Sequence, residues 1–409
     1  IPKLKLNGRV QGKILLEKGG QFPTARFQAR GTNITGLKVE AEAFQAAGKL
    51  DWPKLEEFSS SVRFGSNAVA EVSGSADLKA RSLGETTVRA EGPLLTNLLP
   101  AGVAFANVRV AAKFSGGVTN LQHAGEFELR DFVAPQLQPM TVEASWKADH
   151  FTFDELTIRT RAGPATMYVS GSGFAGGGRT NFIVRELKFL KGDEVYLTLV
   201  EPSRITLTTN AAGVEMEVRP MTLVGTNRGL FVSAGFAMPR VAVIDLRGTN
   251  VNPALFQTFV TRSLSGVDFQ RFNIQAGWSN GPVTGAISGR FSAEVENFER
   301  LTAELDLPMQ TNGLSVRKLS VLNSQAELCR AEGFMPVSLR PLEERKLRVS
   351  ADEQINFEAE TAPNEAFWRT VSELSKPTVS NAALRMQVRG TTREPTGELQ
   401  VKANGLALA

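Results

Sequence analysis

The chain has 409 residues, 42% of them hydrophobic and 22% charged, a globular composition large enough for two or three ordinary domains. Its 46 basic and 42 acidic residues leave a net charge of +4 spread along the sequence, with no basic, aromatic-rich cluster, so nucleic acid is excluded as the expected partner. One cysteine and two histidines exclude an intrachain disulfide, a thiolate zinc cluster and a multi-histidine site, and no metal or cofactor is expected.

From the N-terminus, no charged-then-apolar leader follows Ile1, and no run of 18 apolar residues exists to cross a membrane as a helix. The sequence therefore reads as an ectodomain or a processed part of a longer chain. Period-2 segments then follow one another. Leu37, Val39, Ala41 and Ala43 alternate with Lys38, Glu40 and Glu42, and Ala70, Val72, Gly74 and Ala76 with Glu71, Ser73 and Ser75. Val108, Val110, Ala112 and Phe114 lie opposite Arg109 and Lys113, and Val142, Ala144, Trp146 and Ala148 opposite Glu143, Ser145 and Lys147. The longest segment runs from Val283 to Val295, with Ile287, Phe291 and Ala293 on one side and Ser288, Arg290 and Ser292 on the other. Leu301–Leu307, Ile355–Ala359, Ala382–Val388 and Glu398–Val401 continue the pattern. Strict alternation predicts antiparallel strands with one dry and one wet face, and argues against a doubly wound parallel sheet.

Three proline-opened segments break the alternation. Pro93 opens LLTNLL, Pro253 opens ALFQTFVTRSL and Pro363 opens NEAFWRTVSEL, each predicting a short amphipathic helix. From these prolines to Gly125, Gly289 and Gly397 the spacing is 32, 36 and 34 residues, a degenerate repeat with modules at about 91–137, 249–300 and 361–409. Without Pro/Ser-rich linkers, the chain reads as one continuous elongated region over 1–409. Its dry faces mix Ala, Val and Gly with Phe (25 in all, against 2 Tyr and 4 Trp), which suits a sheet curled into an open apolar trough better than a filled sandwich.

Chemistry-bearing candidates have simpler readings. Gly171, Gly173 and Gly176–Gly178 predict a hairpin rather than a phosphate cradle, since no clear helix follows. Ser170 lacks a partner pattern for a nucleophile, His150 suits a turn, and Asp154 and Glu155 a solvated loop edge. Cys329 fits a half-buried strand position. No catalytic residue is nominated.

The run GPLLTNLLPAGVAFANVRVAAKFSGGVTNLQHAGEFELRDFVAPQL, and again VRGTTREPTGELQVKANGLAL near the C-terminal end, resembles the repeat unit of the TamB and AsmA-like family, as does LTIRTRAGPATMYVSGSG in style. The resemblance implies a non-enzymatic periplasmic β-groove protein of a two-membrane bacterium, tethered to the inner membrane by a segment outside this sequence. It further implies phospholipid acyl chains as cargo and a BamA-like outer-membrane barrel as partner. The residues expected to line the groove are Val39, Val72, Val108, Val110, Phe127, Leu129, Trp146, Val169, Ile287, Phe291, Leu305, Phe357, Leu384, Met386, Leu399 and Val401. Head groups are expected near Arg109, Lys147 and Arg290, although these belong to the wet face. The competing expectation is a structural or adhesive β-repeat scaffold without a lipid conduit.

Overall fold

The computed structural model describes residues 7–407 apart from 19–21, 37–38, 66, 94–98, 100, 212, 239, 262–265, 295–299, 324–325, 344–345, 351, 363–367 and 369–377. The fold is mainly β and antiparallel, with little helix. The chain divides into two units, one formed by Ile1–Glu194 with Thr258–Arg262, the other by Val195–Gln257 with Ser263–Ala409.

The first unit is an unbroken meander. It contains β1 (Asn7–Glu17), β2 (Thr24–Gly36), β3 (Val39–Asp51), β4 (Lys54–Phe64), β5 (Ala68–Asp77) and β6 (Ser82–Gly92). It continues with β7 (Asn107–Gly117), β8 (Gln122–Phe132), β9 (Met140–Asp149), β10 (Thr152–Ala162), β11 (Ala165–Gly176) and β12 (Arg179–Lys191). Every strand pairs antiparallel with the next. The turns are short and follow local chemistry. Gly177 and Gly178, at φ of 60° and 75°, make the two-residue turn between β11 and β12, a conformation that glycine adopts without a Cβ clash. His150, at φ of 54°, sits in the turn between β9 and β10, as the sequence predicts.

The second unit repeats the plan. Its strands are β13 (Glu194–Leu199), β14 (Ser203–Asn210), β15 (Gly213–Gly225), β16 (Arg228–Met238), β17 (Val241–Val251), β18 (Val267–Ser279) and β19 (Thr284–Ala293). Then come β20 (Leu301–Met309), β21 (Leu314–Asn323), β22 (Ala326–Met335), the small hairpin β23 (Val337–Leu339) and β24 (Leu347–Val349), β25 (Gln354–Thr361), β26 (Thr378–Thr391) and β27 (Pro395–Ala407). From β14 onward each strand pairs with its successor, except that β22 pairs directly with β25 and the β23–β24 hairpin stands outside the sheet.

All three proline-opened segments occupy the same topological place. They lie between β6 and β7, β17 and β18, and β25 and β26, strands that pair with each other as if nothing were inserted. The glycines at the far end of the repeat then fall two strands on, Gly125 in β8, Gly289 in β19 and Gly397 in β27. The one of the three predicted helices that lies among the described residues is shorter than expected. The one after Pro253 is α1 (Ala254–Gln257), a single turn. Beyond it the backbone is taken by another strand end: Val260 bridges Leu137, Gln138 N–H donates to Phe259 O (3.1 Å) and Thr261 N–H to Gln136 O (3.0 Å). A run of Thr258, Phe259, Val260 and Thr261 has weak helix preference, so these tertiary bonds win. Of the other two segments, only Trp368 is described in the stretch after Pro363, and residues 94–98 lie outside the described residues.

The core is thin. Of the 21 buried apolar residues among those described nine are alanine, and of the described phenylalanines only Phe272, 7% exposed, belongs to this set. A two-layer sandwich would bury its large aromatics between the sheets. Curl comes from bulges. The register shifts between β4 and β5 at Leu55/Phe58, between β5 and β6 at Ser73/Ala76, and between β6 and β7 at Leu83/Thr86. These shifts lie side by side on neighbouring strands, so their added twist sums along one crease. In the second unit Asp306/Met309 on β20–β21 and Val316/Leu319 on β21–β22 adjoin in the same way, while Val218/Met221 and Phe269/Arg271 are isolated shifts.

Candidate functional site

Directly paired residues of antiparallel strands share a face, so the registers trace rows across each sheet. One row in the first unit starts Val10, Gly31, Phe44, Val62, Ala70 and Ala90. It continues Val110, Phe127, Ala144, Ile158, Val169 and Leu187. All twelve strands of the unit contribute, and no polar residue interrupts. At about 4.8 Å per strand the row extends roughly 50 Å. Flanking rows carry Val72, Val88, Ala112, Gly125, Trp146 and Leu156 on one side, and Val108, Leu129, Val142, Thr160, Met167 and Phe189 on the other.

The second unit has a counterpart. Leu223, Leu230, Gly248, Phe272, Gly289 and Leu305 are paired in succession, followed by Leu319, Ala331, Ala359, Met386 and Leu399. Ile287 pairs with Ile274 and Leu307, and Phe291 with Phe269 and Ala303. Phe357 pairs with Gly333 and Val388, and Leu384 with Val401. Within each unit, then, the nominated residues fall on one face. Val39 is the exception: its backbone pairs with Gly36, and its side chain lies outside the described residues, as does Leu37.

Two assignments need correction. Ala43 is opposite Thr32 and Arg63, on the polar side, and Phe44 takes the apolar row instead. Alanine selects no face, whereas a phenylalanine one residue on does. Ser292, expected on the wet face, is 1% exposed and its Oγ accepts from Gln270 Nε2 at 3.3 Å. It is enclosed polar packing, not solvated surface.

Glycine and aromatic rings share this face. A Cβ on Gly248 would lie 2.2 Å from Cε1 of Phe272, one on Gly125 2.7 Å from Cζ2 of Trp146, and one on Gly48 2.7 Å from Cζ of Phe27. Each ring lies over a glycine of the next strand, which covers bare backbone and keeps the face shallow. Trp146 also fixes His123: Trp146 Nε1–H donates to His123 Nδ1 (2.9 Å), so His123 Nε2 carries the proton and donates to His150 O (2.9 Å). Phe114 stacks on the imidazole at 5.7 Å between centroids and Phe153 meets it edge-on at 6.0 Å. The imidazole is thus part of the packed face, an outcome that its sequence context does not reveal.

The opposite face is polar and charge-paired. Arg161 bonds Glu143 at 2.9 Å, Arg130 bonds Glu128 at 2.6 Å, and Arg290 bonds Glu304 at 3.2 Å. Lys318 also bonds Glu304, and the hydrogen bond holds that carboxyl below its ordinary range. Likewise Arg130 lowers Glu128, first through its hydrogen bond. A hollow of about 600 Å³ on this side is lined by Arg109, Glu126, Glu143, Arg159 and Tyr168. Arg109, Lys147 and Arg290 therefore stand on the face away from the apolar rows, and Arg290 is engaged with Glu304.

Ser170 is on the polar face, its Oγ 3.4 Å from Glu186 Oε2. Asp154 and Glu155 are exposed, but they lie within β10 beside a register shift and not on the loop edge that the sequence suggests. Cys329 is half-buried opposite Val321, and burial pushes its thiol up. Among the described residues no group of His, Cys, Asp and Glu could hold a metal ion, and no helix is long and apolar enough to cross a membrane. No family model, curated protein or solved structure matches this chain.

Proposed function

We propose that the apolar face of each unit shelters lipid acyl chains, so that the protein moves or stores phospholipid without chemical change. The observation that carries this reading is the unbroken row from Val10 to Leu187, with its counterpart from Leu223 to Leu399. An acyl chain laid on such a face leaves water at roughly 0.8 kcal/mol per CH₂ and needs no polar contact. A polar step would stall it, and neither row has one. The sequence resemblance to TamB and AsmA-like proteins points the same way. On that reading the protein works in the periplasm of a two-membrane bacterium, is non-catalytic, and delivers phospholipid toward an outer membrane with a BamA-like barrel as partner.

The test is transfer of fluorescent phospholipid between donor and acceptor vesicles, together with mass spectrometry of co-purifying lipid. Phe127→Arg interrupts the row and is expected to stop transfer. Glu126→Arg, at an exposed position on the other face, leaves it at the parent rate. A folded Phe127→Arg protein that still transfers at the parent rate would refute the conduit and favour a structural scaffold.

A further inference from the structure

The β23–β24 hairpin stands outside the large sheet and turns an apolar face to solvent. Val337 pairs with Val349 and Leu339 with Leu347, which puts these four side chains on one face. Leu339, Leu347 and Val349 are 42%, 64% and 58% exposed, and Leu342 in the connecting turn is 43% exposed. On the other face of β23, Ser338 is 3% exposed. Backbone bonds anchor the hairpin, Val283 N–H to Leu339 O at 2.8 Å and Ser350 N–H to Pro336 O at 3.0 Å, with Pro336 itself buried. A water-adapted hairpin would turn its leucines inward and its serine outward. This one turns Ser338 inward, where its Oγ has no partner among the described residues, and offers the apolar side to solvent.

Charge indicates what meets it. Between Leu339 and Val349 the sequence has Arg340, Arg345, Lys346 and Arg348 against Glu343 and Glu344, four positive less two negative, or +2. Arg340 bonds Glu343 at 2.8 Å and Lys346 Nζ donates to Pro341 O; Lys346 and Arg348 are exposed and flank Leu347 in sequence, with Arg348 opposite Ser338. Exposed leucines flanked by cations complement an interface that is apolar below and anionic above. We propose that this hairpin docks the protein on anionic lipid bilayers, with Leu342 and Leu347 entering the headgroup layer and Lys346 and Arg348 meeting lipid phosphates. The inference goes beyond acyl carriage, because the hairpin would bind a membrane surface whatever the sheet holds.

Flotation with phosphatidylcholine vesicles containing about 30% phosphatidylglycerol tests it, at low salt and with the whole 409-residue chain. The protein is expected to float with these vesicles and about fivefold less with pure phosphatidylcholine. Leu342→Ser/Leu347→Ser should lower the bound fraction about tenfold, with an unchanged circular dichroism spectrum because both sites are exposed. Leu347→Trp should shift its emission to the blue on vesicle addition. Failure of the parent protein to float overturns the proposal, as does a doubly substituted protein that floats normally, or an indole that stays in water while the protein is bound. A dimer that dissociates on the double substitution, with no vesicle binding, would assign the face to a second copy instead. Phe127→Arg separates the two readings: it should float like the parent while failing to transfer lipid.

Discussion

Terminal and interior strands carry the same alternation, yet their apolar faces meet different surroundings. In β1, Val10, Ile14 and Leu16 are 63%, 69% and 69% exposed, and in β27, Leu399 and Val401 are 65% and 57% exposed. Val110, Phe127, Ile158 and Ile287, in the interior of their units, are half-buried. What changes is a lateral neighbour. Among the described residues β1 pairs only with β2, and β27 only with β26. Interior half-burial therefore comes mainly from strands on either side, and large side chains such as Phe127 keep part of their surface open. That remaining surface is what an acyl chain would cover.

The largest expected effect sharpens this contrast. Phe127→Arg puts a guanidinium between Val110 and Ala144, in a row with no carboxylate among its described residues, and partial desolvation should cost about 2–3 kcal/mol. Leu399→Arg, at the edge, should cost less than about 0.5 kcal/mol because the head stays in water. Urea midpoints of the two variants decide it. Equal losses would mean that β27 is as enclosed as β8.

Next in size is the glycine–ring packing. Gly248→Val drives a Cβ to 2.2 Å from Phe272, so ring and strand must shift, at about 1–3 kcal/mol. Gly235, also interior, has nothing within 4 Å of an added Cβ, and Gly235→Ala should be neutral or stabilise by up to about 1 kcal/mol. Thermal unfolding of both variants separates ring contact from glycine's chain entropy.

Much of this was legible in the sequence because lateral pairing preserves period 2. Phe127 and Ile287 announce their faces by contrast with charged neighbours. Legibility fails where the residue is indifferent or the cause is remote. Ala43 fits either face, and only the pairing of Phe44 with Gly31 and Val62 sets the phase. Ser292 is buried through Gln270, 22 residues away, and no periodicity encodes that. The β23–β24 hairpin eluded the pattern because each strand is three residues long, too short for alternation to register. Rows through Ala90, Ala144 and Ala359 were invisible for a further reason: they exist only once strands are aligned.

A smaller effect concerns His123. Trp146→Phe keeps the ring over Gly125 but removes the donor to His123 Nδ1, leaving that nitrogen without its described partner at about 1 kcal/mol. His123→Phe leaves the Trp146 Nε1–H and the His150 carbonyl without their partner and should cost at least as much, although Phe114 and Phe153 flank the site. A double-mutant cycle reads the coupling. If Trp146→Phe costs nothing while His123→Phe is severe, the imidazole serves some role beyond filling the face.

The smallest effect lies on the polar side. Glu304 accepts from Lys318 and Arg290, and its side chain is 24% exposed. Its folded pKa lies below the unfolded value, so the charged carboxylate binds its partners better than the acid does. The sign follows: this stabilisation is fully present above the unfolded pKa and is lost as pH falls through the folded one. Solvent and the entropy of long side chains limit such a pair to about 0.5–1 kcal/mol. Glu304→Gln should lower stability by that amount at pH 7, and the gap to the parent should close as acid protonates Glu304. Salt should narrow it as well. Urea melts at neutral and acidic pH test this directly. A gap that persists at low pH would mean that the substituted amide disturbs packing rather than charge. The polar face would then contribute more to holding the sheet than its exposure suggests.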